Sequence, residues 1–265
     1  MNLYDFESEL ILKRREIFPD KISEDPWIIY HGTSSIFEND IEINGLHWKA
    51  ANYDKSDVES VVRIFDFMSW SGHSGGGYPV LYPFSLKNDF SASTKKPIFL
   101  AESSLRAIWF STRDNAGGET ARAIRYALAD LQEYISSEEL RETHMSYLQH
   151  DFEIGAIHSP PSEINLEWLS DELKKLEGLK TRCQEAFENH KFGIVYAIKF
   201  NEGDLGMFEY SPSAGISTNS IIPPERIAAK IHIPKEYEHH HGQDDKRNNS
   251  HFDNGLVGRL YRRSP

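Results

Sequence analysis

Apolar residues in the first third of the chain come in short clusters separated by charge. Leu3, Phe6, Leu10, Leu12 and Ile17 recur at helical spacing up to Pro19, which predicts a leading helix within residues 1–23 that covers a sheet. Trp27-Ile28-Ile29-Tyr30 predicts a first strand, and the polar His31-Gly32-Thr33-Ser34 that stops it reads as a turn. Thr33 or Ser34 is placed to cap a short helix running through Asp40, with Gly45 as its terminating glycine. Between Lys49 and Lys96 the periodicity is lost. Gly72, Gly75, Gly76, Gly77, Pro79 and Pro83 predict loops and short elements there.

Ala107-Ile108-Trp109-Phe110 predicts a second short strand, followed by a polar segment and an amphipathic helix from about Glu119 with Ile124, Leu128 and Leu131 on its buried face. A further helix is expected from Glu138 to about His150. After the breaker Ser159-Pro160-Pro161-Ser162, another runs from Glu163 to about Asn189 with an apolar stripe from Leu166 through Cys183 to Phe187. Ile194 to Phe200 is the strongest strand, β-branched and aromatic, and two more are expected over 215–222 and 228–233. Beyond Pro234 the chain turns polar. The organisation expected is one α+β domain over 1–233 and a polar tail over 234–265, with one ordered piece near Leu256 to Tyr261.

Composition narrows the classes. The 39% hydrophobic and 26% charged content is that of a folding globular chain of 265 residues, long enough for one large domain with insertions. No stretch approaches the ~18 apolar residues of a membrane span, so no membrane partner is expected and the default location is cytoplasmic. The net charge of −12 disfavours sequence-independent attraction to nucleic acid while leaving room for a local basic groove. A single cysteine, Cys183, excludes an intrachain disulfide and a multi-cysteine metal site. His239-His240-His241 with nearby acids lacks a periodic frame, so no metal site is expected. Gly72-His73-Ser74-Gly75-Gly76 has the Gly-x-Ser-x-Gly form of a hydrolase elbow, but that elbow needs a helix directly after the serine, and the following glycines and Pro79 oppose one.

The remaining chemistry gathers around three segments. His31-Gly32-Thr33-Ser34 followed by Ile41-Glu42-Ile43-Asn44-Gly45-Leu46 resembles the first active-site strand and helix of NAD-dependent ADP-ribosyltransferases of the diphtheria-toxin and poly-ADP-ribose-polymerase type. Ala107 to Thr112, then a helix with Ala123, Tyr126 and Ala127, resembles that family's second strand: an aromatic pair, a small residue and a helix. Ser217 to Ile227, containing Ile222-Pro223-Pro224-Glu225-Arg226-Ile227, looks like its closing strand and corner.

The resemblance implies an ADP-ribosyltransferase-like split antiparallel sheet with NAD in the cleft and flanking helices. It implies that His31 binds a ribose, that Gly32 contacts the nicotinamide amide through its backbone, and that Thr33, Trp109, Ser111 and Tyr126 complete the donor site. The family's catalytic glutamate begins the closing strand, where this chain has Ser213, Ala214 and Gly215; the nearest upstream carboxylate is Glu209. Either Glu209 reaches the ribose, or another residue takes that role, or the fold binds NAD or ADP-ribose, or a partner protein, without turnover. Taken singly, a histidine at a strand end is usually a polar surface residue, and a tryptophan in an apolar run usually core. The order of the three segments is what points to NAD. The implied activity is transfer of ADP-ribose from NAD, with no metal, to a protein or nucleic-acid acceptor. A free-standing chain of this kind points to a toxin with an antitoxin or immunity partner.

Overall fold

The computed structural model describes residues 1–9, 11, 16–47, 55–67, 97–112, 119–211, 215–237 and 256–263. The chain divides into two compact units, one made of Met1–Ala51, Lys95–Gly118 and Ala186–Pro265, the other of Asn52–Thr94 and Glu119–Glu185. In chain order the elements are β1 (Asn2–Tyr4), α1 (Asp20–Ser23), β2 (Ile28–Ser34), α2 (Glu38–Asn44), α3 (Lys55–Phe67), β3 (Ile98–Leu100), α4 (Ser104–Thr112), α5 (Glu119–Ser136), α6 (Glu138–Glu153), α7 (Leu166–Lys175), α8 (Glu177–Glu188), β4 (Phe192–Lys199), β5 (Phe208–Ser211), β6 (Gly215–Thr218), β7 (Ile227–Pro234) and α9 (Leu256–Arg263). Short 3-10 turns precede α2, β5 and β7. Helices and strands are thus mixed, as the α+β expectation has it.

The first unit carries every described strand, in two sheets ordered β1-β7-β4-β2 and β3-β6-β5. All pairings are antiparallel except β1 with β7. Among the described residues the backbones of the two sheets are bridged where Tyr30 and Ala101 exchange hydrogen bonds of 2.9 and 2.7 Å, and beyond that pair β2 stays with β4 while β3 goes with β6. One core lies between the facing sides of the sheets, around Ile29, Ile98, Leu100, Tyr196, Ile198 and Ile216. A second lies under α4, around Tyr30, Ala107, Ile108, Val195, Ala197 and Ile231.

Several elements differ from expectation. Residues 2–4 form an edge strand along β7 rather than part of a leading helix, because pairing Asn2 with Ala229 and Tyr4 with Ile231 takes up backbone groups that no local pattern reveals. His31-Gly32-Thr33-Ser34 is the second half of β2 rather than a turn, held in the ladder opposite Tyr196, Val195, Ile194 and Gly193. Ala107 to Phe110 is helical, inside α4; a run of four apolar residues fits either state, and the Ser103 hydroxyl accepting from the Arg106 N–H starts a helix. The helix expected over 163–189 is two, α7 capped by Asn165 and α8, with the chain breaking at Leu176 while the apolar stripe continues. Within the segment expected to be loops, Lys55–Phe67 is the helix α3. The 3-10 turn and α2 end at Gly45, whose φ of 81° suits glycine, as expected. The ordered piece near Leu256 is α9, with Leu256, Val257 and Leu260 buried and the Leu256 N–H donating to Pro26. Gly72 to Gly76 and His239 to His241 lie outside the described residues.

The second unit is helical. Val61, Ile64, Ile124, Leu128, Leu131, Leu169, Leu173, Leu179 and Cys183 make its core. No described helix is long and apolar enough to cross a membrane.

Candidate functional site

The split between β2 and β3 exposes a strand edge in the middle of the first unit. In an extended strand the N–H and C=O of alternate residues point to the same side. Tyr30 points its pair at Ala101, so Gly32 points its own pair to that side too, where β3 has already left for the other sheet. His31 and Thr33 direct theirs at β4. Gly32 therefore presents one donor and one acceptor side by side at the split.

The side-chain face of Gly32 is closed. A Cβ there would lie 1.8 Å from the Ala107 carbonyl oxygen, and one on Gly193 would lie 2.6 Å from that of Ser111. These two glycines let the α4 backbone rest directly on β2 and β4. The end of β2 is fastened as well: the Ser34 hydroxyl caps the next turn and meets His190 Nδ1 at 2.8 Å, and the Ser35 hydroxyl accepts from the Lys191 N–H at 2.9 Å.

His31 is fixed by the neighbouring strand. Its Nδ1 lies 3.0 Å from the Phe99 carbonyl oxygen. That oxygen can only accept, so Nδ1 carries the hydrogen. Burial holds the imidazole pKa below its usual value, the Phe99 carbonyl opposing it more weakly, and the ring is neutral at pH 7. Nε2 is then a lone-pair acceptor, suited to a hydroxyl donor and unsuited to an anion.

Phe99 also supplies the exposed ring of this region. Its neighbours Ile98 and Leu100 are buried, while the Phe99 side chain on the opposite face is 47% exposed. Register continues the row: Phe99 stands opposite Ser217, and Ser217 opposite Glu209. Residues directly opposite in antiparallel strands share a face. An aromatic ring, a hydroxyl and an exposed carboxylate thus cross sheet β3-β6-β5 in line.

The structure brings together His31, Gly32 and Thr33 on β2, with Trp109 and Ser111 on α4, which packs on that strand. Ser111 is buried and its hydroxyl donates to the Ile108 carbonyl, so it braces α4 against Gly193 rather than facing outward. Trp109 is half-buried, its ring edge-on to Phe110 at 4.8 Å. Tyr126 belongs to α5 in the helical unit, with Arg125 over its ring at 5.2 Å. Glu209 is reached through the register of β5. Phe99 had no signal in periodicity: three strand residues cannot show an alternating pattern.

A second polar group lies on the β2-β4-β7 sheet under α2. Lys230 Nζ binds both Glu38, at 2.5 Å, and Glu42, and His232 Nε2 meets Glu38 at 2.5 Å. Tyr196, opposite both His31 and Lys230, is fully buried, and its hydroxyl has no hydrogen-bond partner among the described residues. Burial, with the Glu38 and Glu42 charges adding to it, pushes its pKa far up, and the phenol stays protonated.

Comparison with protein-family models, with curated proteins and with solved structures gave no match to this chain.

Proposed function

We propose that the first unit is an ADP-ribosyltransferase-like fold that binds NAD at the split between β2 and β3 and transfers its ADP-ribose. The observation that carries this reading is the backbone N–H and C=O of Gly32, turned to the split and unpaired among the described residues, next to the neutral His31, which is held by the carbonyl of Phe99, a residue with an exposed ring. A carboxamide has one N–H donor side and one carbonyl acceptor, and Gly32 offers the complementary pair. Phe99 gives the pyridinium ring a flat apolar surface. The Ala107 to Phe110 run that carried the resemblance is helical, and the strand that precedes it is Ile98-Phe99-Leu100, followed by Ala101 and α4. His31 Nε2 accepts from a ribose hydroxyl.

In the reaction the bond between ribose C1′ and the nicotinamide nitrogen breaks, and nicotinamide leaves neutral with the electron pair. The sugar becomes cationic at C1′ on the way, and a nearby carboxylate stabilises that charge. An acceptor nucleophile then bonds to C1′ and gives up its proton, so NAD and acceptor yield ADP-ribosyl acceptor, nicotinamide and one proton. Glu209 is the carboxylate in the row. The acceptor is a macromolecule, protein or nucleic acid, and the toxin role with an antitoxin partner belongs to the same proposal.

The test is direct. The purified chain is expected to bind NAD and release nicotinamide, and radiolabelled NAD with cell lysate is expected to label one macromolecular fraction. A second reading, binding without turnover, is favoured by Gly215 standing where the family has its glutamate. Saturable NAD binding with no nicotinamide release would decide for it.

A further inference from the structure

We infer that the catalytic carboxylate of this site has moved one strand outward, from β6 to β5, and that Ser217 is the positioning residue that keeps the lane to it open. The inference rests on the NAD-donor reading above. The start of β6 cannot easily carry the carboxylate, because Gly215 has a φ of 77°, a backbone conformation that L side chains rarely adopt. The next positions inward are occupied or turned away: Ile216 and Thr218 are buried, and the Thr218 hydroxyl donates to the Met207 carbonyl at 2.7 Å.

That leaves Ser217 as the only residue of the described strand β6 on the open face between Phe99 and Glu209. Strand spacing puts the Glu209 backbone about 10 Å from that of Phe99, two steps of roughly 4.8 Å. A glutamate side chain extends about half that distance, and a serine between them is too short to obstruct it. The Glu209 carboxylate thereby comes over Ser217 to the edge of a ring lying on Phe99, where the ribose carbon of a stacked nicotinamide stands. A long side chain at 217 closes that lane without touching Gly32, His31 or Phe99.

The experiment uses the full chain with NAD, reading nicotinamide release, NAD binding by calorimetry and thermal unfolding. Glu209→Gln is expected to lower kcat at least a hundredfold while the NAD dissociation constant stays within about threefold. Ser217→Leu is expected to lower kcat tenfold or more at unchanged KM for NAD and unchanged unfolding temperature. In Glu209→Gln/Ser217→Glu the carboxylate sits one strand nearer, and release is expected to recover at least tenfold over Glu209→Gln. Full release by Glu209→Gln, a raised KM rather than a lowered kcat in Ser217→Leu, or no recovery in the double variant would each overturn the inference while NAD binding stands. Absence of both NAD binding and cleavage in the unaltered chain would overturn the donor reading itself.

Discussion

Gly32 lies directly beneath the carbonyl of Ala107, so that a single added methyl would stand 1.8 Å from that oxygen. Both atoms belong to backbone, one in β2 and one in α4, so neither can turn aside. Gly32→Ala is therefore expected to force α4 off the sheet and to cost about 3 kcal/mol or more in urea unfolding. Gly206→Ala, where nothing lies within 4 Å of the added carbon, is the control expected to change stability by less than about 1 kcal/mol.

NAD binding is expected to depend on pH through His31. Because burial lowers its pKa from 6.5, the ring stays neutral at pH 7 and below, and protonates only as pH falls through the lowered value. Protonation turns Nε2 from acceptor to donor and leaves the Nδ1 bond to Phe99 in place. Calorimetry at successively lower pH should show affinity falling on the acid side only, and His31→Ala should remove that dependence. An acid-side fall that persists in His31→Ala would contradict the acceptor role.

Tyr196 and Lys230 are predicted to respond oppositely. Tyr196→Phe removes a buried hydroxyl that has no partner among the described residues and is expected to leave stability equal or raise it by about 1 kcal/mol. Lys230→Met leaves Glu38 and Glu42 facing each other without their shared cation at a site where Lys230 is 12% exposed. That change is expected to cost about 3 kcal/mol. Chemical denaturation of the two variants measures both.

Asp130 is expected to destabilise the fold at neutral pH. Burial, with the Glu133 charge adding to it, raises its pKa to about 6 from 3.8. The unfolded carboxyl therefore ionises more readily than the folded one, and stability falls as pH rises from about 4 to about 6 and then levels off. Asp130→Asn should raise stability at pH 7 by about 1 kcal/mol after solvent screening of a half-exposed group, with the gain vanishing near pH 3.5. Thermal unfolding at the two pH values checks the sign.

The thiol of Cys183 is expected to be inert. It is buried in the core of the helical unit, and desolvation pushes its pKa up to about 11. Thiolate is the reactive form, so labelling by a thiol reagent at pH 8 should be slow in the native protein and rapid in denaturant.

The sequence by itself determined what is local. Apolar residues at three- and four-residue steps marked α5 and the stripe of α7 and α8; β-branched content marked β4; and a glycine after Asn44 marked the end of α2. It also singled out His31 and Gly32 as a polar pair out of place after an apolar strand. What it could not decide were the states that depend on a distant partner. His31-Gly32-Thr33-Ser34 is strand because β4 pairs with it, and residues 2–4 are strand because β7 does. Ala107 to Phe110 is helix in a place where Gly32 and Gly193 leave room for one. The line of Phe99, Ser217 and Glu209 comes from register between three strands that each run only three or four residues. Register is set by burial across the sheet and leaves no period along the chain. Tertiary structure thus turned a suggestive dipeptide into a strand edge at the split between the sheets, and set a ring, a hydroxyl and a carboxylate in line across β3, β6 and β5.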